Sequence, residues 1–461
     1  MNFFVRVNLL IIAFFSLATQ TSSLSKIAYN NNFTLLPANY IPQEKPITII
    51  LYMAADNDLR TFVYRNLEEI KYLLRATPAT ENFNIFIHLD VHNPGQKKMT
   101  FHLVAYQKEL CIAWQGEMDS GKEETLIYTY AEAMKFCPAQ KVILGLWNHG
   151  TGDLNPTTSK IFNPTNLFEF DPDEQKIVLN RSISFLDYLE NFCSGDDRGI
   201  CFDDSTRNYL KNQNIGSALE KICNTMRNGK KIDLIFCDAC LMSGIGFIRE
   251  IKPWANYLIA SEEVVLATGF RYDQVLNFFN QPEPDLKDFI KHTVKVFETT
   301  YQKLTPDYTL SGIDLQNLDP LYQSVNDIAE ILIKALKYQK NGSVKDFIRQ
   351  SSWRHNCTSF DEVTYKDLKH LLTNFLKNIV TIQLTTTEQE NNLKAQLRNK
   401  INSALLQLSE CVISHCAGKN LSQSGGISIY VPEIRVHSSF QHTTFAKNNL
   451  WFAMINLYLA S

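Results

Sequence analysis

Apolar side chains fall along this chain in two rhythms. The run Ile47-Thr48-Ile49-Ile50-Leu51-Tyr52-Met53 is almost unbroken and rich in β-branched residues, which predicts a strand buried on both faces. Comparable runs recur at Ile85 to Leu89, Val142 to Trp147, Ile232 to Phe236 and Tyr257 to Ala260. Between most of them the apolar spacing changes to that of an amphipathic helix. The first such helix is expected from about Leu59 to Leu74, entered through the capping residues Asp56-Asn57-Asp58. Buried strands alternating with helices predict an α/β chain whose mainly parallel sheet is sandwiched by helices.

The rhythm breaks at about 151–200, where Pro156, Pro164, Pro172 and Ser194-Gly195-Asp196-Asp197 predict a long exposed insertion. Beyond Pro282-Glu283-Pro284 the pattern is mostly helical, with long helices expected near 316–338, 364–380 and 387–412. A late strand, Gly426 to Val431, is expected to return to the sheet. The organisation is thus a core over 40–280 carrying the insertion, followed by a mostly helical region over 281–461. At the start, the lone charge of Arg6, the apolar run Leu9 to Ala18 and the small polar stretch Thr19 to Ser25 describe a signal peptide over 1–23. The expected protein is therefore exported, periplasmic or secreted, with no stable membrane span after signal removal. An uncleaved N-terminal anchor is the alternative.

Composition narrows the function classes. Hydrophobic residues at 45% and charged ones at 20% are those of a globular chain. The 45 Lys and Arg against 48 Asp and Glu leave a net charge of −3, and there is no basic block, so nucleic acid is not an expected partner. Ten cysteines are too sparse for a disulfide scaffold, although export permits some pairing.

In an open parallel sheet, ligands bind beyond the carboxyl ends of the strands. Two such ends carry reactive groups. The strand ending at Trp147 runs into Asn148-His149-Gly150-Thr151-Gly152, and the strand ending at Phe236 runs into Cys237-Asp238-Ala239-Cys240. A helix bearing Leu241, Met242, Ile245, Ile248 and Ile251 follows, which places Cys240 at or near a helix N-terminus, where the dipole and a nearby imidazole lower a thiol pKa. The N–H groups of Cys240 and Gly150 are candidate donors to an oxyanion. Spacing alone also allows an inert packing cysteine and a satisfied core histidine.

Five segments taken together resemble the ordered motifs of the clostripain family: Tyr52-Met53-Ala54-Ala55-Asp56-Asn57-Asp58-Leu59, Trp147-Asn148-His149-Gly150, Asp238-Ala239-Cys240-Leu241-Met242, Ala260-Ser261-Glu262-Glu263 and Gly425-Gly426-Ile427-Ser428-Ile429-Tyr430. The resemblance implies a caspase-like α/β/α sandwich, shared with gingipains and legumains, and a cysteine endopeptidase working through a thioester. It implies Cys240 as nucleophile, His149 as base, and Asp238 as the acid receiving Arg or Lys of a protein or peptide substrate; a helix cap is the other reading of Asp238. It further implies activation by cleavage between His149 and Cys240, with candidates Lys160, Lys176, Arg181, Arg198, Arg207 and Lys211. Arg207 is favoured because turn-forming residues precede it. No cofactor is needed for the chemistry; calcium is an option, with Asp56, Asp58, Asp203 and Asp204 as weak candidate ligands and helix capping as the other role of the first two. Glu262 and Glu263 follow a strand end, where they line the substrate cleft or form a solvated turn. Two departures stand out: Cys237 precedes Asp238 where the family resembles Gly-Phe-Asp-Ala-Cys, and Gly269-Phe270-Arg271-Tyr272 places a cation where it would weaken a preference for basic residues.

Other readings compete. Cys237-x-x-Cys240 at a strand end also fits a thiol redox pair. Cys237, Cys240, His415 and Cys416 fit a zinc site poorly, because His415 and Cys416 are adjacent. Gly244-Ile245-Gly246 is a partial dinucleotide fingerprint broken by Arg249. Serine-hydrolase, metallopeptidase and phosphate-loop motifs are absent from the sequence. An exported, catalytically inactive binding protein on a peptidase fold is the non-enzymatic alternative.

Overall fold

The computed structural model describes residues 33–76, 82–93, 95–154, 167–172, 174–181 and 199–461. The signal segment and much of the insertion lie outside these residues. One sheet of ten strands organises the rest. Its centre consists of β3 (Phe83–Val91), β2 (Lys45–Ala55), β6 (Ala139–Trp147), β11 (Ile232–Asp238) and β12 (Ala255–Ala260), all parallel. These are the five runs marked by continuous apolar sequence, and from Ile47 onward β2 is wholly buried, as helices on both faces require. The buried polar groups of β3 are satisfied internally: His88 meets Ser120 at 2.9 Å, and Ser120 donates to Asp90 at 2.6 Å. Helix α1 (Arg60–Ala76) buries Val63, Leu67, Ile70, Leu73 and Leu74 on one face, and Asn57 caps its entry by accepting from Leu59 N.

Antiparallel strands extend both edges. On one side the hairpin of β4 (Met99–Tyr106) and β5 (Glu109–Gly116) joins β3, and β5 also pairs with the short β1 (Thr34–Leu35). On the other, β13 (Thr309–Asp314) and β15 (Val412–Ala417) continue from β12. The sheet therefore does not end near residue 280; two of its strands come from the region expected to be mainly helical. The strand that returns is also a different one. β16 (Ser428–Tyr430) pairs with β14 (Tyr365–Asp367) in a separate ribbon, and Ser428 N donates to Ser243 O beside the main sheet. Long helices at Leu318–Tyr338, Leu368–Asn378 and Thr387–Cys411 match the helical periodicity. Among the described residues, no helix is long and apolar enough to cross a membrane.

Described parts of the insertion are not simply exposed loop. The hairpin of β7 (Phe168–Asp171) and β8 (Lys176–Leu179) is held by Leu304 O and the Asp307 carboxylate. β9 (Gly199–Asp203) is buried throughout and pairs with β10 (Asn208–Lys211). Both hairpins carry enough apolar side chains to pack, which the prolines and turn residues around them concealed.

Candidate active site

The ends of three central strands set the site. Met53 of β2 lies opposite Trp147 of β6, and Trp147 lies opposite Asp238 of β11. His149 and Cys240 each follow two residues beyond that matched pair, so parallel register brings them to one level at the carboxyl edge. Asn148 N donates to Asp238 O at 3.3 Å, extending the pairing past the strands. Beyond it the two loops touch: a Cβ added to Gly150 would stand 2.6 Å from Cys240 O and 2.8 Å from Met242 Sδ. From the neighbouring strand end, Asp58 Oδ1 reaches His149 Nε2 at 2.7 Å. Asp58, suggested by sequence as a metal ligand or helix cap, is thus the partner of the histidine.

Cys240 does not sit at a helix N-terminus. It lies in a turn, followed by Leu241 in the left-handed region at φ 63°, and the helix α2 (Ile245–Ile251) begins further on. The first-turn amides Gly246 N and Phe247 N are already taken by the Asp153 carboxylate, at 2.9 and 2.7 Å, so this helix is not what activates the thiol. The thiol is enclosed instead. Val265 N donates to Cys240 Sγ at 3.3 Å, Val265 O lies 3.6 Å away, and burial pushes the thiol pKa far above its ordinary value. The segment after β12 therefore covers the candidate nucleophile.

Asp238 is buried beside this turn. Phe270 N at 3.1 Å and Tyr272 Oη at 3.0 Å donate to its Oδ2, while loss of hydration pushes its pKa up to about 7. It does not cap the following helix, whose donors go to Asp153. Arg271 does not load this position with uncompensated charge, since its guanidinium is paired with Asp273 at 2.8 Å and Glu69 at 3.4 Å.

Glu262 and Glu263 are fully buried and form neither a solvated turn nor an open cleft wall. Glu262 accepts from Gly426 N; burial, and after it the neighbouring Asp367 carboxyl, hold the Glu262 pKa well up. Glu263 accepts from Asp361 N and receives Arg181 at 2.8 Å; the same guanidinium reaches Asp307 at 2.9 Å. Glu263, matched in this way by a guanidinium, stays inside, because removing Arg181 would strand a buried charge.

Arg207 is exposed, with φ 55°, at the turn between β9 and β10. Cys237 is buried beside Cys201, and both thiols are pushed up by burial. All cysteines among the described residues are free thiols. The described residues contain no grouping of three His, Cys, Asp or Glu side chains fit to hold a metal.

A caspase-like α/β sandwich with Cys240, His149 and Asp238 gathered at its carboxyl edge is the class this architecture defines. The profile of the clostripain family, peptidase C11, matches residues 168–455, more than half of the chain and including Cys240 but not His149. The protein belongs to the clostripain family. No curated protein sequence matches it. Among solved structures it is similar to iotapain, a secreted C11 cysteine protease from Bacteroides thetaiotaomicron, with TM-score 0.57 and 16% identity over 90% of this chain and 100% of that one. It is also similar to an inactive zymogen C11 protease from Parabacteroides distasonis, with TM-score 0.55 and 19% identity over 90% and 99% of the two chains. At such identities the likeness concerns the fold.

Proposed function

We propose that the protein is an exported cysteine endopeptidase that cleaves after Arg or Lys, with Cys240 as nucleophile and His149 as general base. The observation that carries this reading is the matched register of β6 and β11, which brings His149 and Cys240 to the same level beside Asp58. With His149 Nε2–H donating to the Asp58 carboxylate, the neutral ring keeps its lone pair on Nδ1. Nδ1 accepts the thiol proton as sulfur attacks the scissile carbonyl, and Asp58 stabilises the resulting imidazolium. The amides of Gly150 and Cys240 serve the oxyanion. Collapse of the tetrahedral intermediate transfers the proton to the leaving amine and leaves a thioester, which water hydrolyses with His149 again as base.

The contacts of Val265 with the thiol favour a latent form, opened by cleavage between His149 and Cys240, with Arg207, exposed at a turn, as the favoured candidate. Lys160 and Arg198 lie outside the described residues. The N-terminal segment 1–23, also outside them, is assigned to export by its sequence pattern, and protein or peptide chains are the substrates. The divisions at 40–280 and 281–461 are retained as catalytic core and C-terminal region, with the sheet drawing on both.

Arg, Lys and Asp peptide substrates assayed with reductant test the specificity. Arg or Lys peptides should be cut at least about 100-fold faster than Asp peptides, because an unpaired carboxylate rejects an acidic or neutral side chain. Equal rates would remove Asp238 from its role. The pH dependence is a separate prediction. Asp238 titrates near 7 in the folded chain against about 3.9 unfolded. The native state therefore binds more protons between those values, and this group's contribution to stability falls as pH rises from about 4 to about 7. Pairing with guanidinium needs the ionised form, so the ratio of kcat/KM for Arg over an uncharged P1 residue should rise through about pH 7. Asp238→Asn should flatten this ratio.

A further inference from the structure

Asp153 stands four residues after His149, on the same loop, and is only 2% exposed. Its two carboxylate oxygens accept from Gly246 N and Phe247 N, the first-turn donors of the helix that follows Cys240. The glycines around these amides are shaped to it. A Cβ at Gly246 would lie 2.6 Å from Asp153 Cγ, and one at Gly244 would lie 2.9 Å from its Oδ2. The Gly244-Ile245-Gly246 pattern, broken as a dinucleotide motif, therefore makes room for a carboxylate of this chain.

The rest of the histidine loop is fixed to other elements. Thr151 N donates to Gly199 O, Asn212 Nδ2 donates to Gly152 O, and Tyr365 Oη bridges Thr151 O and Leu154 N. Those anchors hold the loop to β9, to the helix at Asn212–Lys221 and to β14. The Asp153 bonds run instead to the chain that carries the thiol.

We infer that Asp153 is a positioning residue for the reaction, locking the loop of His149 onto the turn of Cys240 so that imidazole and thiol keep a fixed separation. It rests on the reading of these two residues as the reacting pair. A charged acceptor with two bonds suits this task, because charge-assisted bonds to orphan amides are short and directional. Asn at this position keeps one acceptor and loses the charge, and Ala loses both bonds.

The test uses the full-length mature protein, its Asp153→Ala and Asp153→Asn variants, and Asp285→Ala as a control. Asp285 caps the distant helix Leu286–Tyr301 in the same manner, accepting from Lys287 N and Asp288 N. Iodoacetamide modification of Cys240, followed by mass spectrometry across pH, reports the imidazole-assisted ionisation of the thiol; kcat and KM are measured alongside thermal stability. Asp153→Ala should lower kcat by about 100-fold, the scale expected of a displacement near 1 Å, with KM within about threefold. Its alkylation profile should move to higher pH, and Asp153→Asn should fall between it and the wild type. Asp285→Ala should lose stability and keep the wild-type kcat and profile. The inference is overturned if Asp153→Ala keeps the wild-type kcat and profile, or if Asp285→Ala changes them equally. Where Asp153→Ala does not fold, Asp153→Asn decides by the same readings. A wild type without peptidase activity, whose alkylation profile is unchanged by His149→Ala, would instead sink the reading of the reacting pair and this inference with it.

Discussion

Cys240→Ala is expected to lower kcat/KM on basic peptides by on the order of 10⁴- to 10⁶-fold, leaving the fold intact. The change removes one sulfur from an enclosed turn, together with its contacts to Val265 N and Val265 O. His149→Ala should fall as far, since the imidazole is the base assigned to a thiol that burial pushes toward its neutral form. The double variant should be no slower than either single one, because nucleophile and base act as a unit. Steady-state kinetics on an Arg substrate, with folding checked by circular dichroism, gives the answer. Losses that multiply, or an alanine variant within tenfold of the wild type, would break the assignment.

Asp58→Asn should cost about 10²- to 10⁴-fold in kcat with KM little changed. Its carboxylate meets His149 Nε2 at 2.7 Å, which sets the tautomer and supplies the countercharge when the ring becomes an imidazolium. An amide in its place presents either an NH₂ group that favours the wrong tautomer or an uncharged oxygen. A variant with wild-type kcat would make Asp58 merely a neighbour.

The central strands were readable because burial on both faces leaves no polar alternation to confuse the pattern, and those strands carry His149 and Cys240 at their ends. The β4–β5 hairpin was not readable. Its turn residues Gln107 and Lys108 take φ of 47° and 68° without the Gly or Asn that usually marks such a turn. Thr309–Asp314 separates Leu310 from Ile313 with Ser311-Gly312 and so shows no apolar run, and Val412–Ala417 runs on directly from a helix, so neither announced a strand. The pairing of Asp58 with His149 depends on strand order, which spacing along the chain does not encode. Asp153 was hidden for another reason: its partners are backbone amides, and a search for matching side chains passes over them. The burial of Glu262 and Glu263 was likewise set from elsewhere, by Asp367, Asp361 and Arg181.

The register of β6 against β11 also governs what a nicked molecule would be. Both strands lie in the interior of the sheet, paired from Ile143 to Trp147 and from Leu234 to Asp238. A cut at Arg207, between them in sequence, would divide the chain without dividing the sheet. The two pieces should elute as one body from a sizing column under native conditions and separate only in denaturant. Neither piece alone has a partner for its exposed central edge, so refolding should become second order in protein, turning a unimolecular reaction into an assembly.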